Sequence, residues 1–170
     1  PHPRHPPPLL RSPSRPPHPP NCDPRHPQSP ELELAAIFRV MADLLGDPAW
    51  PQLHPWPCTD TPWPSLQCEL APDDVRVLRA TRLHLGPDVA TPPCRPGARL
   101  DPASLRGLPH LRTLSIFVCF GAAQAPVELS PALFTSSSSL EQIMLKSNPS
   151  LTSPIPATLV IIVFEEKMAY

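Results

Sequence analysis

Residues 138–159 read SSLEQIMLKSNPSLTSPIPATL, and their apolar residues are spaced as in one short strand followed by a turn. Ile143 and Leu145 alternate, as residues that face the same side of a strand do. The chain must turn after this strand, and the side-chain amide of Asn148 can bond backbone groups of the turn that would otherwise lack partners. Pro156 disfavours a helix, so an extended return segment is expected there. The core positions of this segment are Leu140, Ile143, Leu145, Asn148, Leu151 and Ile155.

A second segment, LRGLPHLRTLSIFVCF at residues 105–120, repeats this spacing. Its core positions are Leu111, Leu114 and Ile116, and Cys119 stands where the other segment has asparagine. Two matches to L-x-x-L-x-L followed by Asn or Cys indicate leucine-rich repeats. We therefore predict an α/β leucine-rich-repeat solenoid fragment with short parallel strands. The alternative is a chance pattern of leucines in an ordinary α/β domain.

A helical cap is predicted upstream of the repeats, because apolar residues recur at helical spacing over residues 31–45. Ser29 is expected to cap this helix, Pro30 to occupy its first position and Gly46 to end it. The apolar stripe comprises Leu34, Ile37, Phe38, Met41, Leu44 and Leu45. The segments that follow are expected to be an irregular Trp-rich stretch, a strand and a Pro-rich loop, at residues 47–74, 75–86 and 87–104.

Proline dominates the start of the chain, since thirteen of the 31 prolines fall in residues 1–30. Large apolar side chains are nearly absent there. Such a segment buries too little surface to offset its loss of conformational entropy, so a disordered arm is expected. The sequence PSRP at residues 13–16 fits the PxxP pattern that SH3-type grooves bind, but a low-complexity extension without a partner is the plainer interpretation.

The remaining composition limits the function classes. The formal net charge is -1, which gives no overall positive surface for nucleic acid. No apolar run reaches the length of a membrane-spanning helix, and residues 1–30 lack the apolar region of a signal peptide, so none is expected within them. Neither a nucleophile-elbow motif nor a phosphate-binding glycine loop occurs, so we expect no enzyme activity and no cofactor.

An odd number of cysteines allows at most two internal disulfides. None of the five forms a C-x-x-C pair, so a metal site is not expected. Cys58 and Cys68 enclose a short loop that a disulfide would suit.

Residues 138–159 also resemble a plant-specific leucine-rich repeat, LxxLxLxxNxLxGxIPxxL, with Ser153 in the place of its glycine. Residues 105–120 resemble the first repeat of a small group of plant leucine-rich-repeat receptor-like proteins. This group includes the Piriformospora indica-insensitive proteins and Too Many Mouths. The upstream helix, the Trp-rich loop and the cysteine positions are similar to that group as well, so the resemblance covers about residues 31–159.

The resemblance implies a non-catalytic recognition module of cell-surface signalling, located at the plasma membrane or outside the cell. It implies a protein or peptide ligand and a co-receptor kinase as partners. It also implies the disulfides Cys58–Cys68 and Cys94–Cys119, which leaves Cys22 unpaired. The expected divisions are a Pro-rich arm, a cap, the first repeats and a non-repeat tail, at residues 1–30, 31–86, 87–159 and 160–170.

Such a module is expected to bind through the strand face opposite its core. The positions predicted to be exposed there are Thr113, Ser115, Phe117, Val118, Gln142, Met144, Lys146 and Ser147. Phe117, Met144 and Lys146 are the candidate partner contacts, with plain solvent exposure as the alternative for each. Two other functions stay open: a truncated paralogue without function, and a disordered adaptor that acts through its Pro-rich arm.

Overall fold

The computed structural model describes residues 27, 29–121, 125–134, 139–152 and 162–163. The expectations for the Pro-rich arm up to residue 26, for Ile155 and for most of the tail lie outside these residues. The elements in chain order are α1 Glu31–Leu44, α2 Trp50–Leu53, β1 Leu66–Leu70, β2 Leu78–Leu85, α3 Pro102–Arg106, β3 Thr113–Phe117, β4 Val127–Glu128, a 3-10 helix Pro131–Phe134, β5 Gln142–Lys146, β6 Leu151–Thr152 and β7 Ile162–Val163.

A five-stranded sheet in the order β1-β2-β3-β5-β7 forms the centre of the fold. Strand β1 runs antiparallel to β2, and every later neighbour pairs in parallel. Strands β4 and β6 form a separate parallel pair. The structure therefore confirms an α/β fold with short parallel strands.

Two ladders of apolar side chains show why the strands stack in this register. Leu83, Leu114 and Ile143 are partners on neighbouring strands, and so are Leu85, Ile116 and Leu145. All six side chains are buried in one continuous core. A slip by one residue would turn each strand's apolar side chains to solvent, so the alternation of leucine and isoleucine fixes the register.

Helix α1 follows the predicted bounds closely, and most of the predicted apolar stripe is buried, namely Ile37, Met41, Leu44 and Leu45. Leu34 and Phe38 are only half-buried, and Glu33 is 2% exposed on the core side. One Glu33 carboxylate oxygen accepts a hydrogen bond from the Ala80 backbone N–H at 2.6 Å, and the other pairs with Arg79 at 3.0 Å. This carboxylate ties the helix to β2 and draws the buried face towards it.

The ends of α1 differ from the expected caps. Pro30 is the N-cap residue, and Ser29 makes no capping hydrogen bond. Gly46 does not end the helix in a left-handed conformation. Its N–H donates to the Pro93 carbonyl at 2.9 Å, and a Cβ there would lie 3.2 Å from that oxygen. A side chain at Gly46 would push these two backbone segments apart by a few tenths of an ångström, so glycine suits their close approach.

Two stretches expected to be irregular contain regular structure. Residues 47–74 include α2 and β1. The composition of β1 does not indicate a strand, and β1 forms because β2 supplies partners for its backbone hydrogen bonds. Residues 87–104 overlap α3, whose N-cap Asp101 accepts from the Ala103 N–H at 2.9 Å. The strand predicted at residues 75–86 is β2.

Candidate functional site

The turns after β3 and β5 are held together by the side chain of Asn148. Its Oδ1 accepts from the backbone N–H groups of Cys119 and Phe120, at 2.8 and 3.0 Å. Its Nδ2 donates to the carbonyls of Ile116 and Lys146, at 2.7 and 3.0 Å. The amide thus uses its two N–H donors and two acceptor positions on backbone groups. Three of the four bonds reach the end of β3 and the turn after it.

Cys119, at the position that matches Asn148, forms a disulfide instead. Cys94 and Cys119 are joined with an S–S distance of 2.06 Å, and Cys58 and Cys68 with 1.99 Å. These are the two pairs that the family resemblance implies. The first pair ties the loop after β2 to the turn after β3, and the second joins β1 to the preceding loop.

Both turns share an unusual backbone conformation at the residue after the strand. Val118 and Ser147 each have φ of 55°, and both are exposed. The left-handed region is uncommon for residues other than glycine and is an outlier for a β-branched residue. The shape of the turn therefore imposes strain at Val118.

The face of the sheet opposite the core carries the candidate contacts, here called the strand face. Met144 lies beside Ser115, and Lys146 lies beside Phe117, as direct partners of β3 and β5. Phe117, Met144 and Lys146 are half-buried. The structure thus places the three candidate contacts on adjacent positions of one surface.

Ser115 corrects the expected exposure of this face. It was predicted to be exposed, yet its exposed fraction is 0%. Its partners on the neighbouring strands are His84 and Met144, whose side chains extend well beyond a serine hydroxymethyl group. The shortest side chain of the row therefore lies below its neighbours.

His84 and Asp88 form a polar pair at the edge of the strand face that the sequence analysis missed. Both carboxylate oxygens of Asp88 lie 3.0 Å from His84 Nε2. This hydrogen bond holds the pKa of Asp88 below its usual value of 3.8. The His84 ring also meets Phe117 edge to face, with ring centres 5.2 Å apart. The signal in the sequence was the spacing of four between the two residues, across Gly86.

Asp88, His84 and Ser115 do not form a catalytic triad. A triad requires a hydrogen bond between the histidine base and the serine hydroxyl. Here His84 Nδ1 and Ser115 Oγ are both buried, and neither has a hydrogen-bond partner among the described residues. The described residues also contain no group of three histidine, cysteine or acidic side chains that could hold a metal ion.

Two open cavities lie at opposite ends of the strands. One, of about 320 Å³, includes the Arg112–Glu69 ion pair, with 2.6 Å between the nitrogen and the oxygen. The other, of about 290 Å³, lies where β2 and β3 end, and we name it the end cleft. Its walls include Pro87, Val89, Pro92, Phe117 and Val118. The end cleft is the more apolar of the two, because all five of these side chains are uncharged and mostly hydrocarbon.

Within the part of the chain that the structure describes, no helix is long and apolar enough to cross a membrane. The longest, α1, has 14 residues.

Comparison with known proteins gives two related sequences, both from Arabidopsis thaliana. The chain is 34% identical over 128 residues to Receptor like protein 29, which covers 75% of the chain and 27% of that protein. It is 32% identical over 131 residues to Piriformospora indica-insensitive protein 2, which covers 75% of the chain and 29% of that protein. The chain thus spans less than a third of the length of either relative. No protein-family model matches it.

Proposed function

We propose that this chain, a homologue of plant leucine-rich-repeat receptor-like proteins, forms the cap and first repeats of a solenoid that recognises proteins or peptides at the cell surface. The module is non-catalytic, and its partners are a protein or peptide ligand and a co-receptor kinase. The domain divisions at residues 30, 86 and 159 are part of the same proposal.

The observation that carries this proposal is the registered placement of Phe117, Met144 and Lys146. Neighbouring parallel strands put these three side chains on one face, while their alternating neighbours fill the core. Solenoid proteins build extended binding surfaces in this way, one strand from each repeat. An aromatic ring, a flexible thioether and a cation together offer both apolar contact and charge.

The two disulfides support a location at the plasma membrane or outside the cell. Disulfides persist in oxidising compartments and are rare in reducing ones. Both bonds lie in the segment that carries the strand face and its cap. A protein exposed to the cell exterior would keep them.

A binding array tests the proposal. The purified chain is applied to an array of secreted plant peptides and receptor ectodomains, beside a triple variant with Phe117→Ala, Met144→Ala and Lys146→Glu. A matched control carries Leu32→Ala, Leu53→Ala and Val75→Ala, three exposed apolar positions on α1, α2 and the β1–β2 connection.

We expect saturable binding that the control retains and that the strand-face variant loses by about tenfold or more. Equal binding by all three proteins would show that the strand face is not the binding surface. An array without any saturable partner would contradict the recognition function itself.

A further inference from the structure

The loop after β2, which forms one wall of the end cleft, is held in place by three contacts. Thr91 Oγ1 accepts a hydrogen bond from the indole N–H of Trp63 at 3.3 Å, and Trp63 is 1% exposed. The Pro93 carbonyl accepts from Gly46, and Cys94 is bonded to Cys119. A cleft whose walls are already ordered loses little conformational entropy when a ligand enters it.

Val118 forms part of one wall, and folding does not account for its identity. It is 63% exposed and holds φ of 55°, and Ser147 takes the same conformation in the next turn with a polar side chain. Val118 is thus both strained and exposed to solvent, whereas the equivalent turn adopts the same backbone conformation with a serine. The positive φ belongs to the turn, since both turns share it, and the exposed valine side chain is the part that the fold leaves unexplained.

Asp88 places a negative charge beside Gly86, one of the residues that line the end cleft. A Cβ on Gly86 would lie 2.6 Å from Asp88 Oδ1, so the absence of a side chain at Gly86 leaves room for the carboxylate in its present position. The carboxylate is 64% exposed. The hydrogen bond from His84 lowers the pKa of Asp88, and the exposed carboxylate has acceptor capacity left for a cation outside the chain.

We propose that the end cleft binds a segment of a partner protein that inserts one large apolar side chain between Pro92 and Val118 and sets a lysine or arginine against Asp88. The apolar walls and the exposed valine account for the first contact, and charge complementarity accounts for the second. This inference rests on the proposed recognition function, and it adds a site that shares Phe117 with the strand face but includes neither Met144 nor Lys146.

The test uses random linear peptides displayed on phage, selected on the whole chain and counter-selected on the Val118→Asn variant. Asparagine tolerates the left-handed region, so this substitution relieves strain while it removes the apolar side chain. A thermal melt of the variant verifies that it remains folded. The matched control is Val75→Asn, which removes an equally exposed valine at the other end of β2.

We expect enriched peptides to carry leucine, phenylalanine or tryptophan next to lysine or arginine. The strongest peptide, made synthetically, is expected to bind Val118→Asn and Asp88→Asn about tenfold more weakly than the parent, and Val75→Asn equally well, by calorimetry.

Unchanged affinity for Val118→Asn, or the absence of enriched peptides, would overturn the end cleft as a binding site. Binding that depends on Met144 and Lys146 but not on Val118 would also overturn it, and would leave the recognition function standing. If the chain bound no partner at either the end cleft or the strand face, both the end-cleft site and the recognition function would be contradicted.

Discussion

Asn148 is the residue on which the packing of the two leucine-rich segments, residues 105–120 and 138–159, most depends. We expect Asn148→Ala to lower the free energy of unfolding by about 3 kcal/mol, because the N–H groups of Cys119 and Phe120 would lose their acceptor in a partly buried turn. Urea unfolding measures this change. Gln52→Ala, which removes an exposed amide from α2, is the control and should change the value by less than about 0.5 kcal/mol. Similar values for the two variants would show that the Asn148 bonds contribute little.

Relief of the backbone strain at Val118 is expected to stabilise the chain. Val118→Asn should raise the free energy of unfolding by about 1 kcal/mol, since asparagine adopts a positive φ at lower cost than valine. Val75→Asn removes the same group from an exposed position without positive φ and should not stabilise the chain. Thermal melts of the two variants measure the difference, and Val118→Asn is expected to have the higher melting temperature. A lower melting temperature for Val118→Asn would mean that the valine contributes to the fold.

At the scale of elements, Glu33 joins α1 to β2. We expect Glu33→Ala to lower the free energy of unfolding by about 3 kcal/mol, because the Ala80 N–H loses a charged acceptor and Arg79 loses its partner. Glu31→Ala removes an exposed acid from the same helix and serves as the control. Urea unfolding of both variants measures the difference, and equal effects would contradict this account.

Glu33 also explains one limit of the sequence analysis. The helix over residues 31–45 was predicted almost to the residue, but its buried face was assigned from apolar spacing alone. A buried carboxylate with partners 46 and 47 positions away leaves no trace in that spacing. Strand β1 was not predicted for a related reason, because its partners lie on β2 and the residues on either side of it are rich in proline and turn residues.

Strands β3 and β5 were predictable because the alternation of apolar residues lies within each strand's own sequence. The alternation of Leu114 with Ile116, and of Ile143 with Leu145, identified β3 and β5. The burial of Ser115 and the His84–Asp88 pair depend on neighbours from other strands or on the fold of a loop, and spacing alone does not reveal them.

For the molecule as a whole, the disulfides restrict the unfolded chain. The Cys94–Cys119 bond closes a separation of 25 residues and the Cys58–Cys68 bond one of 10. We expect each double Cys→Ala variant to lose about 3 kcal/mol of stability, with the larger loss for the longer loop. Thermal melts of the variants, and of the parent with and without dithiothreitol, test this. A parent that melts unchanged after reduction would contradict it.

The bonds of Asn148 finally make the two leucine-rich segments depend on each other. Three of its four hydrogen bonds reach backbone groups of β3 and of the turn after it, so two N–H groups of the earlier turn have an acceptor only when the later segment is in place. Neighbouring repeats of a solenoid share their stability through such contacts. We therefore expect the two segments to unfold together, as one cooperative unit.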